Sequence, residues 1–416
     1  MGRPTLHLLG VPHTVTRPDY SQDPFTGKVL RFSPMMRAQG YDVIHYGVEG
    51  AESGATLQVD VMTVGQQAEL LGGHQIDPRE RRAWEKTFPM NELWATFNSL
   101  LQPHLLTHTT PGDVWCLPVG QVHRDAVWPP PDGVWTVETG IGYSNPCLPF
   151  FRVFESYAWM HFCHGVELGR TDELIVSDYN WVIPNYYDLA DWPVRTRPGG
   201  AYVLYFGRLS QYKGLDVVKA VANARPDLRF VLCGQGDPSP WVGGNVEYLP
   251  PVVGRERAAV LAGAVVLMTP TRGIEAFGGA GVEAQLVGTP VLASPYGAFT
   301  ETVEHGVSGY RCHSLADWLD GLDRAPRLNR KHIAERARRL YSLEACGPRY
   351  ARVFEQVAEL ERGFLRFQAN GGLQGPSSGS PSSGVERVDC EPAPGCSNRS
   401  RISATQTGAL GLVPDT

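Results

Sequence analysis

Two positively charged side chains follow a short apolar run in the second half of the chain and could bind a diphosphate. The run ends at Gly207, and Arg208 and Lys213 come after it within the stretch YFGRLSQYKG. A guanidinium donates forked hydrogen bonds to phosphate oxygens, and an ammonium adds a mobile point charge. Two solvated cations beside a surface loop would give the same pattern, so this stretch alone does not identify a phosphate site.

A glycine-rich stretch farther along carries two carboxylates that could hold the rest of such a ligand. Glu275 and Glu283 flank Gly278 and Gly279 in PTRGIEAFGGAGVEAQLVGTPV. The glycines let backbone amides come close to a ligand, and the N-terminus of the helix that follows favours an anionic group. Carboxylates on both sides of this anion site could accept hydrogen bonds from sugar and ribose hydroxyls. Alternatively, Glu283 is an ordinary first-turn acid that complements the helix dipole.

Alternating strand-like and helix-like segments would position these residues. We predict strands at residues 5–11, 42–46, 113–119, 134–139, 201–206, 229–233, 265–269 and 290–293, and helices at 28–39, 215–224 and 343–368. Residues 150–164 also have apolar and aromatic side chains at helical spacing. Such alternation favours parallel sheets covered by helices, which bind ligands outside the carboxyl ends of their strands. We therefore expect an α/β protein with two doubly wound, Rossmann-like domains facing a cleft.

The domain boundaries follow from changes in composition. Residues 189–200, LADWPVRTRPGG, are typical of a linker. We predict an N-terminal, acceptor-side domain at residues 1–190, a donor-binding domain at 200–345 and a closing helical segment at 346–367. Residues 368–416 are rich in serine, proline and glycine and poor in large apolar side chains, which predicts a disordered tail.

Composition places the chain among soluble globular proteins and limits its partners. Its 416 residues leave room for two domains, and 42% of them are hydrophobic. The net charge of -6 argues against a nucleic-acid groove, and no segment approaches the length of a transmembrane helix or resembles a signal peptide. The eight cysteines form no CxxC pair, and Cys116 and Cys233 lie in apolar runs. We therefore expect buried free thiols and a cytoplasmic protein.

The ordered set of motifs resembles the group 1, or GT4-like, family of retaining glycosyltransferases with the GT-B fold. The resemblance covers roughly residues 180–310 and rests on Gly207-Arg208 with Lys213-Gly214, on Glu275-Ala-Phe-Gly-Gly with Glu283-Ala, and on Gly288-Thr-Pro-Val. The run Val182-Ile-Pro-Asn with Asp188 and the turn from Gly234 to Gly236 support it. It implies transfer of a hexose from a UDP-sugar or GDP-sugar, with retention at the anomeric carbon and without a cofactor.

The resemblance also implies a role for each donor-side residue. Arg208 and Lys213 would bind the diphosphate, Glu283 the ribose hydroxyls and Glu275 a hydroxyl of the donor sugar. The backbone around Phe277, Gly278 and Gly279 would cradle the phosphates, and the base would lie near Gly234 and residues 248–252.

The chain lacks an Asp-x-Asp triplet, so we expect no metal. Arg208, Lys213 and the helix N-terminus would stabilise the leaving diphosphate instead.

The first half of the chain offers less specific candidates for the acceptor side. Glu138 ends a strand-like run at the predicted cleft, although a structural role is equally compatible with its position. His13, His123 and Arg152 are the other candidates. His161 and His164 have a metal-ligand spacing, but an HxxH among aromatic residues is more often a core or surface pair.

The acceptor itself stays open among a glycan, a lipid carrier, a protein, a small molecule and a modified nucleobase. Two other functions are compatible with the same motifs. One is a nucleotide-sugar epimerase of similar fold, which would need acid and base groups around the sugar ring. The other is a non-catalytic nucleotide-sugar-binding protein.

Overall fold

The computed structural model describes residues 3–21, 23–73, 77, 79–80, 91–146, 148, 151–169 and 179–369. The chain divides into two compact units, Met1–Arg366 and Phe367–Thr416, and the predicted tail lies outside the described residues from residue 370 onward. The first unit contains two parallel sheets, so the fold class is as predicted. The domain boundaries at 190 and 200 stay a prediction.

Seven parallel strands form the sheet of the N-terminal half, in the order β3-β2-β1-β4-β5-β6-β7. The strands are β1 Leu6–Leu9, β2 Val43–Val48, β3 Leu57–Met62, β4 Val114–Leu117, β5 Trp135–Ile141, β6 Arg152–Phe154 and β7 Asn180–Val182. The helices are α1 Pro24–Ala38, α2 Val64–Leu70, α3 Asn91–His108, α4 Gly120–Val127 and α5 Tyr157–Leu168. Every residue of β1 and β4 is buried, as expected for parallel strands covered on both faces.

Six parallel strands form the sheet of the C-terminal half, in the order β10-β9-β8-β11-β12-β13. The strands are β8 Tyr202–Phe206, β9 Arg229–Cys233, β10 Val246–Leu249, β11 Val266–Thr269, β12 Val291–Ala293 and β13 Gly309–Arg311. The helices are α6 Leu215–Ala224, α7 Gly254–Gly263, α8 Gly279–Leu286, α9 Phe299–Thr302, α10 Leu315–Arg324 and α11 Arg330–Tyr341. The order reverses between β8 and β11, which is where a doubly wound sheet opens a crevice for ligands.

The last helix, α12 Leu343–Ala369, returns to the N-terminal half. Its Tyr350 and Phe354 rings meet Phe32 of α1 edge-on, with centroids 5.5 and 6.3 Å apart. The start of α12 pairs with the segment that leaves the first sheet, because Leu343 N donates to the Tyr187 carbonyl at 3.1 Å. The predicted helix at residues 343–368 is confirmed. It packs against the N-terminal half after the chain has left the C-terminal half.

One segment differs from its prediction. Residues 150–164 have helical spacing, but Arg152–Phe154 form β6, which pairs with both β5 and β7. Helix α5 starts only after Ser156, whose Oγ accepts a hydrogen bond from Trp159 N at 3.1 Å. The three-residue strand is too short to show an alternating pattern, so the helical periodicity of α5 dominates the sequence.

The described cysteines agree with the expectation of free thiols. Cys116 and Cys233 are fully buried, and burial raises the pKa of the Cys233 thiol to about 12. Among the described residues, no helix is both long and apolar enough to cross a membrane.

Candidate active site between the two sheets

A cavity of about 370 Å³, which we call the cleft, lies between the two halves at the carboxyl ends of β8 and β11. The C-terminal half lines it with the segments that follow these two strands and with the loop that leads into α8. The N-terminal half contributes the first turns of α1 and the residues that follow β5 and β6. The cleft therefore occupies the crevice where the strand order of the second sheet reverses.

The two strongest donor-side motifs meet in the cleft. Lys213 ends a short 3-10 turn after β8, and its Nζ lies 2.7 and 3.1 Å from the two carboxylate oxygens of Glu275. Both side chains are partly exposed, at 29% and 20%. Arg208 also lines the cleft, and the Tyr205 hydroxyl donates to its carbonyl at 2.5 Å. The structure thus places three predicted donor residues along one wall.

The loops after β8 and β9 approach each other too closely for any side chain. Gly207 N donates to the Cys233 carbonyl at 3.0 Å, and a Cβ on Gly234 would overlap the Gly207 carbonyl. Gly234 has a φ of 149°, and its carbonyl accepts a hydrogen bond from Tyr248. Gly207 lines the cleft. Gly234 does not line it and instead packs against the backbone of Gly207.

The predicted anion site is the N-terminus of α8. Gly278 is its N-cap, and Phe277, Gly278 and Gly279 all line the cleft. The Phe277 ring is buried against Tyr341 with centroids 5.7 Å apart, which fixes the backbone just before the helix. The first turn of a helix leaves backbone N–H groups without partners in the helix, and these attract phosphate oxygens.

Glu283 has a partner that the sequence analysis did not predict. Its Oε2 accepts hydrogen bonds from Arg257 Nε at 2.8 Å and Nη2 at 2.5 Å. Arg257 lies on α7 and stacks over the Phe206 ring at 4.9 Å, and both members of the pair line the cleft. The run GRERAAV contains Arg255 and Arg257, and the sequence does not show which of them faces the cleft. In the structure Arg255 is exposed, whereas Arg257 contacts Glu283.

Two of the acceptor-side candidates are buried inside the N-terminal half rather than in the cleft. Glu138 is fully buried, and its carboxylate accepts hydrogen bonds from the Tyr143 hydroxyl at 2.7 Å and Leu148 N at 2.9 Å. His123 is held between Asn98 and the Gly10 carbonyl, at 3.0 and 3.1 Å. Burial lowers the pKa of His123 to about 3, so the ring is neutral.

The other two candidates form ion pairs whose members do not line the cleft. His13 Nε2 lies 3.2 Å from Asp23, the N-cap of α1, and Arg152 Nη1 lies 2.9 Å from Glu167. None of the four candidates is among the residues that line the cleft. Contact of His13, His123, Glu138 or Arg152 with a substrate thus stays a prediction, which the lining of this cleft does not support.

The HxxH spacing does not build a metal site in the described part of the chain. No group of three or more histidine, cysteine or acidic side chains there could hold a metal ion. His164 instead packs edge-on against Phe154, with centroids 5.6 Å apart.

The N-terminal half contributes to the cleft a wall of residues that the sequence analysis missed. Lys28, Arg31 and Phe25 on α1 line the cleft, together with Glu155 after β6. Lys28 and Glu155 form an ion pair. A lysine inside a helical run and a glutamate after a three-residue strand belong to no recognisable motif, which is why residue types alone did not select them.

One segment of the chain matches a known family. Residues 200–325 match the model of the glycosyl transferases group 1 family, and this segment contains Arg208, Lys213, Glu275 and Glu283. A D-inositol 3-phosphate glycosyltransferase of Pseudarthrobacter chlorophenolicus is 34% identical over 151 residues, which are 30% of this chain and 34% of that protein. The chain thus matches about a third of this relative's length.

Solved structures share the fold over most of the chain. AviGT4, a glycosyltransferase involved in avilamycin A biosynthesis, has a TM-score of 0.63 at 19% identity and covers 86% of this chain and 98% of its own. Anabaena HepE, solved with UDP and glucose, has a TM-score of 0.51 at 15% identity and covers 85% and 100%. At these identities the likeness shows the fold, whereas the family match concerns residues 200–325. Residues 200–325 therefore match the group 1 glycosyltransferase family, and the chain has the GT-B fold of these solved structures.

Proposed function

We propose that this protein transfers a hexose from a UDP-sugar or GDP-sugar to an acceptor hydroxyl, with retention at the anomeric carbon and without a metal or cofactor. One observation carries the proposal. Arg208, Lys213, Glu275 and Glu283 line a single cleft beside the N-terminus of α8, as a ligand with a diphosphate between two hydroxylated groups requires. The HepE neighbour was solved with UDP and glucose, which makes UDP-glucose the first donor to test.

The charges of the cleft suit the departure of a diphosphate. As the bond from the anomeric carbon to the phosphate oxygen breaks, its electron pair stays on the diphosphate. Lys213, Arg208 and the N-terminus of α8 would stabilise that charge, and they are positioned before the reaction begins. The acceptor oxygen attacks from the face that the diphosphate leaves, and its proton passes to the departing phosphate.

The Lys213–Glu275 contact has a role in this scheme. Lys213 and Glu275 form an ion pair, and both line the cleft. A bound diphosphate would be a second anionic partner for Lys213. A hydroxyl of the donor sugar would donate a hydrogen bond to Glu275. The ion pair therefore keeps both side chains in place for the ligand at a small desolvation cost, because both are already partly exposed.

Turnover measurements test the proposal. Wild-type protein should release nucleoside diphosphate from a UDP- or GDP-hexose, and Glu275→Ala and Lys213→Ala should each reduce kcat/KM about a hundredfold. Proton NMR of the product should show the anomeric configuration of the donor, and EDTA should leave the rate unchanged. Unaltered turnover in both variants would refute the assignment, and inversion or loss of activity in EDTA would refute the proposed mechanism.

A further inference from the structure

The wall that the N-terminal half contributes to the cleft, which we call the acceptor-side wall, contains a buried ion pair. The proposed binding of the donor assigns this pair no role. Lys28 and Glu155 are in contact, and their side chains are each only 5% exposed although both line the cleft. Within the described part of the chain, Lys28 is the one charged side chain that contacts the Glu155 carboxylate. A buried ion pair stabilises a fold little better than apolar side chains of the same size, so stability alone does not account for this one.

The backbone around the pair fits tightly around the carboxylate. Lys28 Nζ also donates to the Gly140 carbonyl at 2.6 Å, which anchors the ammonium to the end of β5. A Cβ on Gly142 would lie 2.5 Å from Glu155 Oε1, so only glycine leaves room for the carboxylate. Lys28 therefore fixes the position of Glu155, and Gly142 allows it to face the cleft.

The carboxylate is held next to the donor loop. Ser156, the residue after Glu155, donates from Oγ to the Ala276 carbonyl at 2.7 Å. Ala276 lies between Glu275 and Phe277, so the end of β6 is tied to the loop that precedes α8. Glu155 thus enters the cleft from the opposite half, beside the predicted position of the donor sugar.

One aromatic neighbour of the pair also lines the cleft. The Phe25 ring lines the cleft with its centroid 4.9 Å from Lys28 Nζ. An aromatic face accommodates the C–H face of a sugar or cyclic polyol, while a few fixed polar groups bind its hydroxyls. A carboxylate has about four acceptor positions, so the contact with Lys28 leaves capacity for a ligand hydroxyl.

We propose that Glu155 binds a hydroxyl of a sugar or polyol acceptor and that Lys28 is its positioning residue. This inference rests on the proposed glycosyl transfer. It assigns Glu155 to the acceptor rather than to the donor. Loss of Glu155 should therefore impair transfer to an acceptor and leave hydrolysis of the donor intact, since water needs no such contact.

The test compares two reactions of the same protein. UDP-glucose, or whichever donor wild-type protein hydrolyses, is incubated with increasing myo-inositol or glycerol, and transfer and hydrolysis are quantified separately. Glu155→Gln should lower the ratio of transfer to hydrolysis about ten- to hundredfold by raising the KM for the polyol, as expected for loss of a charge-assisted hydrogen bond. Hydrolysis should stay within about twofold, consistent with this residue having no contact with the donor.

Further variants separate this role from a structural one. Glu155→Gln leaves Lys28 buried without its counter-charge, so the double variant Lys28→Met/Glu155→Gln, which removes both charges, should restore the melting temperature but not the transfer ratio. Lys28→Met alone should also lower the ratio. Glu167→Gln removes a carboxylate paired with Arg152 away from the cleft and should leave the ratio unchanged.

The outcomes distinguish this inference from the proposed function. Absence of donor hydrolysis by wild-type protein would refute the proposed function and the inference with it. Normal hydrolysis together with an unchanged transfer ratio in Glu155→Gln would overturn the inference alone. So would an equal loss of hydrolysis and transfer in that variant, or hydrolysis by wild-type protein without transfer to either polyol.

Discussion

Lys213 Nζ lies 2.7 Å from Glu275 Oε2, and this contact joins two motifs that are 62 residues apart in the chain. It brings the cation that follows β8 to the carboxylate that precedes α8. The two motifs therefore form one wall of the cleft.

The Lys213–Glu275 pair should matter for the donor far more than for folding. Both side chains are partly exposed, so Lys213→Met should change the free energy of unfolding by no more than about 1 kcal/mol. The same variant should lower the affinity for UDP or GDP at least tenfold, because it removes a charge from the diphosphate site. Urea denaturation and calorimetric titration measure the two quantities.

Lys331→Met, at an exposed position on α11, serves as the control. A large loss of stability with unchanged affinity would make the pair structural.

Arg257 should act on the donor through Glu283. Its guanidinium donates twice to Glu283 Oε2, so Arg257→Gln frees a carboxylate that we expect to bind ribose hydroxyls. The variant should raise the KM for the nucleotide-sugar about tenfold, the weakening expected for one misplaced charged hydrogen bond. Steady-state kinetics with Arg255→Gln, an exposed arginine of the same helix, provides the matched control.

A double variant tests whether the two residues act together. If Arg257 works only through Glu283, then Arg257→Gln/Glu283→Gln should have a KM close to that of Glu283→Gln alone. Strictly multiplicative effects of the two substitutions would show that Arg257 contacts the donor independently.

Acid should destabilise the N-terminal half through its buried histidines. Burial lowers the pKa of His123 to about 3 and that of His45 to about 4, from an ordinary 6.5. Below pH 6.5 the unfolded chain binds protons at these rings while the folded protein does not, so stability falls as the pH falls toward 4. At pH 5 each histidine should cost about 2 kcal/mol relative to its contribution at neutral pH.

The contribution of His123 can be isolated by substitution. His123→Gln keeps hydrogen-bonding groups near Asn98 and the Gly10 carbonyl but does not titrate in this range. Urea denaturation at pH 7 and pH 5 should show a pH-dependent loss that is smaller by about 2 kcal/mol in the variant. The same loss in both proteins would contradict a neutral, buried His123.

Glu301 should stabilise the contact between the two halves. Its carboxylate, on α9 of the C-terminal half, accepts hydrogen bonds from Tyr157 N at 3.0 Å and Ala158 N at 2.8 Å, at the start of α5 in the N-terminal half. Because it satisfies N–H groups of a helix terminus, Glu301→Ala should lower the free energy of unfolding by about 1 kcal/mol. Denaturation beside Glu335→Ala, an exposed glutamate of α11, measures the effect. An equal, small change in both variants would show that the cap contributes nothing.

The C-terminal residues that line the cleft could be found from the sequence because they lie in two short local motifs. Gly207, Arg208 and Lys213 follow one strand, and Glu275 to Glu283 lie in one loop and helix. In each case a strand, a turn and a helix N-terminus occur within a dozen or so residues. The residues named above all line the same cleft. Arg257 escaped prediction because its contact with Glu283 depends on how α7 packs beside α8.

The residues that the N-terminal half contributes to the cleft could not be predicted, because their position depends on side-chain direction near strand ends. The pairing of β5 with β6 shifts register between Thr139 and Ile141, and Gly140 has a φ of 78°. Glu138 precedes this irregularity and is buried in the interior, whereas Glu155, which follows the neighbouring strand, lines the cleft. A sequence shows that a carboxylate lies in or next to a strand, but the pleat and its irregularities decide which face it occupies.

Calorimetric titration of the wild-type protein with UDP-glucose and GDP-mannose, beside Lys213→Ala, tests the central claim most directly. We predict that wild-type protein binds at least one of them with a Kd below about 1 mM and that Lys213→Ala weakens this binding at least tenfold. Failure of wild-type protein to bind either nucleotide-sugar, or equal binding by the variant, would contradict a donor site built around Lys213, Arg208, Glu275 and Glu283.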